Sequence, residues 1–107
     1  MDPATSSGLT VEDAGGSRVV LRGSLTFSSA AAGYAAGLRR VAALAAGDRC
    51  NFDCSALGES DSAGLAVLIE WKAEAHRRGA ELGYSGLPES LARLARITDV
   101  ERLLSGG

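Results

Sequence analysis

Residues 49–79 read RCNFDCSALGESDSAGLAVLIEWKAEAHRRG, and this stretch decides the fold. In Cys50-Asn51-Phe52-Asp53-Cys54 apolar and polar residues alternate, the period of a strand with one face buried. A short loop follows, and then Leu65, Leu68, Ile69 and Ala75 recur along one side of a helix from about Ser62 to Arg78. Glu70, Glu74 and Arg77 lie opposite, and Gly79 supplies the stop. Trp71 falls on the flank between the two faces, where a tryptophan serves either as an anchor for a partner or as a cover for the edge of the core.

The same alternation of strand and helix continues outward. Upstream, Val19, Leu21, Leu25 and Phe27 occupy odd positions from Arg18 to Phe27 and predict a strand, with Gly23 permitting a bulge. Ser28 and Ser29 can cap the helix that follows, whose apolar face is read as Tyr34, Leu38, Val41, Ala42 and Ala45, with Arg39 and Arg40 toward solvent. Gly33 and Gly37 each cost about 1 kcal/mol of helix propensity relative to Ala. Packing must therefore hold this helix, and their spacing predicts close helix–helix approach; the run is too short for a membrane helix. Gly47 ends it. Downstream, Glu81 to Ser85 reads as a short strand, Pro88 opens a helix with Leu91, Leu94 and Ala95 on one face, and Thr98-Asp99-Val100-Glu101 reads as a capping box for a last turn through Leu104. Residues 1–16 are rich in Ser, Thr, Gly and Asp and are expected to be a flexible tail, with Leu9-Thr10-Val11 as an optional edge strand. Residues 17–107 are expected to form one α/β domain, a small mixed sheet with helices packed against it.

Composition narrows the function. At 107 residues there is room for one modest core. Eleven Lys and Arg against thirteen Asp and Glu give a net charge of −2, which offers no footprint for a nucleic-acid backbone. No apolar run approaches the ~18 residues of a membrane span, so no direct membrane insertion is expected, and the N-terminus lacks a basic signal region; a cytosolic protein is expected. Cys50 and Cys54 on one strand stand roughly 13 Å apart, beyond the ~7 Å reach of a disulfide, and read as core residues. With His76 the single histidine, neither a metal set nor a general base is indicated. No nucleophile elbow, phosphate loop or dinucleotide loop is present. No catalytic residue and no cofactor are expected.

One string remains: Asp61-Ser62-Ala63-Gly64-Leu65 at the start of the second long helix. The first N–H groups of a helix lack intrahelical partners and the dipole there is positive, so a hydroxyl or a phosphate is favoured. Plain capping of the helix by Asp61 or Ser62 explains the same residues. The order strand with Asp-x-Ser, loop, Asp-Ser-Ala-Gly-Leu and amphipathic helix resembles the signature of STAS domains, over about Arg18 to Leu104. That resemblance implies a non-enzymatic domain with Asp61, Ser62, Ala63, Gly64 and Leu65 at a partner-binding surface. Gly23 to Phe27, Asp61 to Trp71 and Leu87 to Leu104 are similar to the MlaB branch, the cytoplasmic STAS subunit of a bacterial phospholipid ABC transporter. The partner implied is then the transporter ATPase subunit, the role is maintenance of outer-membrane lipid asymmetry, and the place is the inner membrane, reached through the complex. The alternative within the family is an anti-sigma factor antagonist, with Ser62 phosphorylated by a partner serine kinase. A nucleotide-binding module is a third reading, with only the helix start after Gly58 to Ser62 as its phosphate site and neither a lysine nor a glycine-rich turn there.

Overall fold

The structure is a computed structural model that describes residues 8–97. Seven elements follow in order: β1 (Leu9–Gly15), β2 (Arg18–Leu25), α1 (Ala30–Ala42), β3 (Arg49–Ser60), α2 (Ser62–Arg77), β4 (Glu81–Ser85) and α3 (Glu89–Ile97). The four strands form one sheet in the order β1-β2-β3-β4. β1 and β2 are an antiparallel hairpin, whereas β2, β3 and β4 run parallel and need the helical crossovers α1 and α2 between them. This is the mixed sheet with packed helices expected from the sequence.

The expected tail contributes more than an optional three-residue strand. A seven-residue strand pairs with β2, with an irregularity between Asp13 and Gly15, and Leu9 is buried because its register opposite Gly23 places it over α1 at Gly33. At the other end of β2 the alternation misleads. The strand stops at Leu25, which is fully buried, and Phe27 stands in solvent at 85% exposure.

The short loop expected between Ser55 and Asp61 is strand: β3 continues to Ser60. Two register shifts explain why the alternation conceals this. Val20 and Arg22 face Asp53 and Ala56, and Gly23 and Leu25 face Leu57 and Ser60, so β3 carries an extra residue at each step. The first bulge moves the inward face from Cys54 to Leu57, and the second lies beyond it, so the period of two is broken.

Trp71 settles the packing. It is completely buried, so the flank position expected from the helical wheel is corrected to the centre of the core. Its ring meets Phe52 edge-on at 5.4 Å, and Phe52 meets Tyr84 at 6.1 Å. Its indole N–H donates to the Tyr34 carbonyl at 3.0 Å. Room for the indole comes from Gly37, where a Cβ would lie 2.1 Å from a Trp71 ring carbon. The buried stripe of α1 is accordingly Gly33, Gly37 and Val41, with Tyr34 and Leu38 packed beside it; Ala42 and Ala45, expected inside, are exposed. The close helix–helix approach expected of the two glycines holds for Gly37, which meets Trp71 of α2, whereas Gly33 packs on Leu9 and Leu25 of the sheet. Ser29 does not cap α1 with its side chain. Its hydroxyl turns back to donate to the Ser24 carbonyl at 3.0 Å and accept from the Thr26 N–H at 2.9 Å.

The alternate residues of the strands make a polar opposite face, with ion pairs Arg18–Asp53, Arg22–Glu12 and Arg49–Glu81. Asp53 sits near pH 2 because it accepts from the Ser55 hydroxyl and N–H and from Arg18. Cys50 and Cys54 are free, as expected; burial pushes the Cys54 thiol up to about 12, which leaves it inert at neutral pH. The capping box at Thr98 to Glu101 lies outside the described residues. Among the described residues no helix is long and apolar enough to cross a membrane.

Candidate functional site

Parallel strands β2 and β3 end side by side, with Leu25 opposite Ser60, so the turn after β2 and the start of α2 meet at one end of the sheet. Asp61 joins them. Its backbone is extended, at φ −137° and ψ −167°, as an N-cap requires. One carboxylate oxygen accepts from the N–H groups of Ala63 at 3.0 Å and Gly64 at 3.3 Å, and its carbonyl accepts from Leu65 at 3.0 Å. The other carboxylate oxygen reaches across to the N–H of Phe27 at 3.0 Å. These bonds, that from Phe27 foremost, hold the Asp61 carboxyl below the usual carboxylate range.

The capping question is thereby answered: Asp61 is the cap, and Ser62 is left over. Ser62 opens α2 on the exposed side, and among the described residues its hydroxyl has no hydrogen-bond partner. Ala63 is half-buried. Gly64 and Leu65 are buried, and a Cβ on Gly64 would lie 2.3 Å from the Leu25 carbonyl oxygen. The glycine therefore lets the helix start seat on the end of β2. Of the five residues expected at a partner-binding surface, Ser62 is exposed, Asp61 and Ala63 are half-buried, and Gly64 and Leu65 are buried beneath them.

The phosphate-site reading of this helix start loses its donors. Three of the first N–H groups are taken by Asp61, and a carboxylate occupies the place where an anion would sit. His76, at the far end of α2, is exposed and remote from this site.

Sequence reading missed the turn from Thr26 to Ser29. Thr26 and Ser28 bond through their hydroxyls at 3.1 Å, and Phe27 projects between them. The period of two places Phe27 on the inward face, and no feature of the alternation marks the strand end at Leu25. The usable signal is the hydroxyl-rich Thr26-Phe27-Ser28-Ser29 itself, a turn composition around one aromatic residue.

Comparison with known proteins fits this arrangement. No curated protein matches the sequence. The fold is similar to the solved structure of the anti-sigma factor antagonist SpoIIAA in its unphosphorylated form, with a TM-score of 0.67 at 13% identity, over 89% of this chain and 84% of that one. It is also similar to part of the crystal structure of Mglu, with a TM-score of 0.56 at 19% identity, over 83% of this chain and 22% of that chain. A family model described as "Mlab, STAS domain" matches residues 9–105. The chain belongs to the STAS domain family, in the branch of the MlaB type.

Proposed function

We propose that this chain is a non-enzymatic subunit that binds and supports the ATPase of an ABC transporter for phospholipid trafficking, in the maintenance of outer-membrane lipid asymmetry. The observation that carries the reading is the MlaB-type family match over residues 9–105. The site supports it physically. Asp61 spends its carboxylate on the chain's own N–H groups, which fixes the start of α2 and leaves the Ser62 hydroxyl free beside the half-buried Ala63. A surface already fixed loses little conformational freedom when a partner docks. Gly64 and Leu65 act from beneath by seating the helix on β2. The chain would work in the cytoplasm, held at the inner membrane by the complex.

The exposed Ser62 hydroxyl also favours a second reading, an anti-sigma factor antagonist switched by a serine kinase. A phosphate there adds about −1.5 to −2 charges. The N–H groups of Ala63, Gly64 and Leu65 are already bonded, so the chain offers the phosphate no compensation from them, and the Asp61 carboxylate beside it repels. Phosphorylation would therefore act by expelling a partner.

Titration calorimetry of the full chain against the purified ATPase subunit of the phospholipid transporter tests the first reading. It expects a stoichiometric complex, weakened at least about tenfold by Ser62→Glu, and chain from native cytoplasm without phosphate on Ser62. Recovery of a serine kinase with phosphorylated Ser62, and no binding to the ATPase subunit, would overturn the first reading in favour of the second.

A further inference from the structure

The core is complete without Phe27. Leu25 closes the end of β2, and Phe52, Trp71 and Tyr84 fill the space between sheet and helices. An isolated exposed apolar residue is ordinary on a protein surface. Phe27 differs in how its backbone is held. Its N–H donates to the Asp61 carboxylate at 3.0 Å, the Thr26 N–H donates to the Ser29 hydroxyl at 2.9 Å, and the Ser29 N–H donates to the Thr26 carbonyl at 3.0 Å. The ring, 85% exposed, is thus presented by a pinned turn and not by a loose tip. The carboxylate that pins it is the same one that caps α2 beside Ser62.

We infer that Phe27 is the apolar anchor of the partner interface, and that its occupant is an apolar pocket on a protein partner, rimmed by a basic side chain. This rests on the reading that the domain acts by docking onto a protein. Charge selects the occupant. Residues 26–29 and 58–65 contain no Lys or Arg, while Glu59 is exposed and Asp61 adjoins the turn. An aromatic ring that enters an anionic membrane needs basic neighbours, and here the neighbours repel it. A second copy docked about a two-fold axis would set these acids against themselves. A protein pocket with a basic rim meets both the ring and the charge, and a large rigid side chain in such a pocket carries much of an interface's affinity.

The experiment places the photo-crosslinker benzoylphenylalanine at position 27 or at position 62 of the full chain in native cells, and identifies the product by mass spectrometry. Binding of Phe27→Ala, Phe27→Leu and Phe27→Tyr to the purified captured protein is then measured. The expected result is one identified protein captured from both positions. Phe27→Ala should bind it at least about tenfold more weakly, Phe27→Tyr close to wild type and Phe27→Leu between, with unchanged melting temperatures. Capture from position 62 but not 27, or equal binding by Phe27→Ala, overturns the anchor and leaves the docking reading intact. Capture of this chain itself, sedimentation with phosphatidylglycerol vesicles that Phe27→Ala abolishes, or capture from neither position also overturns it, and the last removes the docking reading as well. Capture of a serine kinase from both positions keeps the anchor and removes the transporter.

Discussion

Trp71 and Phe27 are two large aromatic residues with opposite fates. Trp71 lies between the faces of its helical wheel and is fully buried, with its one polar atom bonded to Tyr34; Phe27 continues the inward face of its strand and stands 85% exposed. The pattern of apolar residues alone would rank them the other way. What separates them is what the chain has cleared for each: Gly37 opens a slot for the indole, whereas Asp61 holds the turn that keeps the phenyl ring out.

The largest effect that would break this contrast is Trp71→Ala. Removing the indole from the core should cost about 3–5 kcal/mol, a large part of the ~5–15 kcal/mol of a typical domain, and chemical denaturation should show a chain near its unfolding threshold. Closing the slot comes next. Gly37→Ala puts a methyl group 2.1 Å from the rigid indole, and overpacking toward the upper part of about 1–3 kcal/mol outweighs the ~1 kcal/mol gained in helix propensity, so the melting temperature falls. Gly33→Ala sharpens the point: its new Cβ meets the ends of two flexible side chains, Leu9 at 2.8 Å and Leu25 at 3.2 Å, and not a rigid ring, so the change should cost less than Gly37→Ala.

On the Phe27 side, Asp61→Ala removes the helix cap and the pin of the turn together. Melting should drop by less than for Trp71→Ala, and hydrogen exchange should quicken at both 26–29 and 62–65. Acid gives a smaller, graded version. Asp53 and Asp61 both have carboxyls below the ordinary value of 3.8, Asp53 at about 2. Depressed values mean that their contributions are present above pH ~4 and are lost as pH falls through the folded value, since the unfolded chain takes up protons first. Melting temperature against pH should therefore slope downward below about pH 4, and Asp53→Asn should flatten the part of that slope between 3.8 and about 2. The smallest effect on stability is Phe27→Ala, expected at zero within error because the ring packs on nothing in the core.

Much of this architecture can be read from the residues. The helix from Ser62, the strand from Glu81 to Ser85 and the helix after Pro88 follow from periodicity and stop signals, and stand where expected. Three features could not be read that way. β3 hides its last residues because a first bulge shifts the inward face from Cys54 to Leu57 and a second follows before Ser60, and periodicity has no memory for an inserted residue. The buried stripe of α1 is built on Gly33 and Gly37, which carry no hydrophobic signal; their importance is the volume they leave empty for Leu9 and Trp71. At the site, Asp61 and Ser62 were legible as a helix start, but their division of labour was not. The cap falls to Asp61 because its second carboxylate oxygen is drawn to Phe27, a contact 34 residues away in sequence that only the meeting of β2 and β3 creates. Gly64 likewise belongs to the seat under the helix, a role visible only once the Leu25 carbonyl is in place.

Hydrogen exchange of the full chain, alone and with the purified transporter ATPase subunit, tests the central claim most directly. Docking through this end of the sheet should slow exchange at residues 26–29 and 60–66 and leave 76–81, at the far end of the sheet, unchanged. Protection confined to 76–81 or to the polar face of the sheet, with 26–29 and 60–66 unaltered, would contradict it.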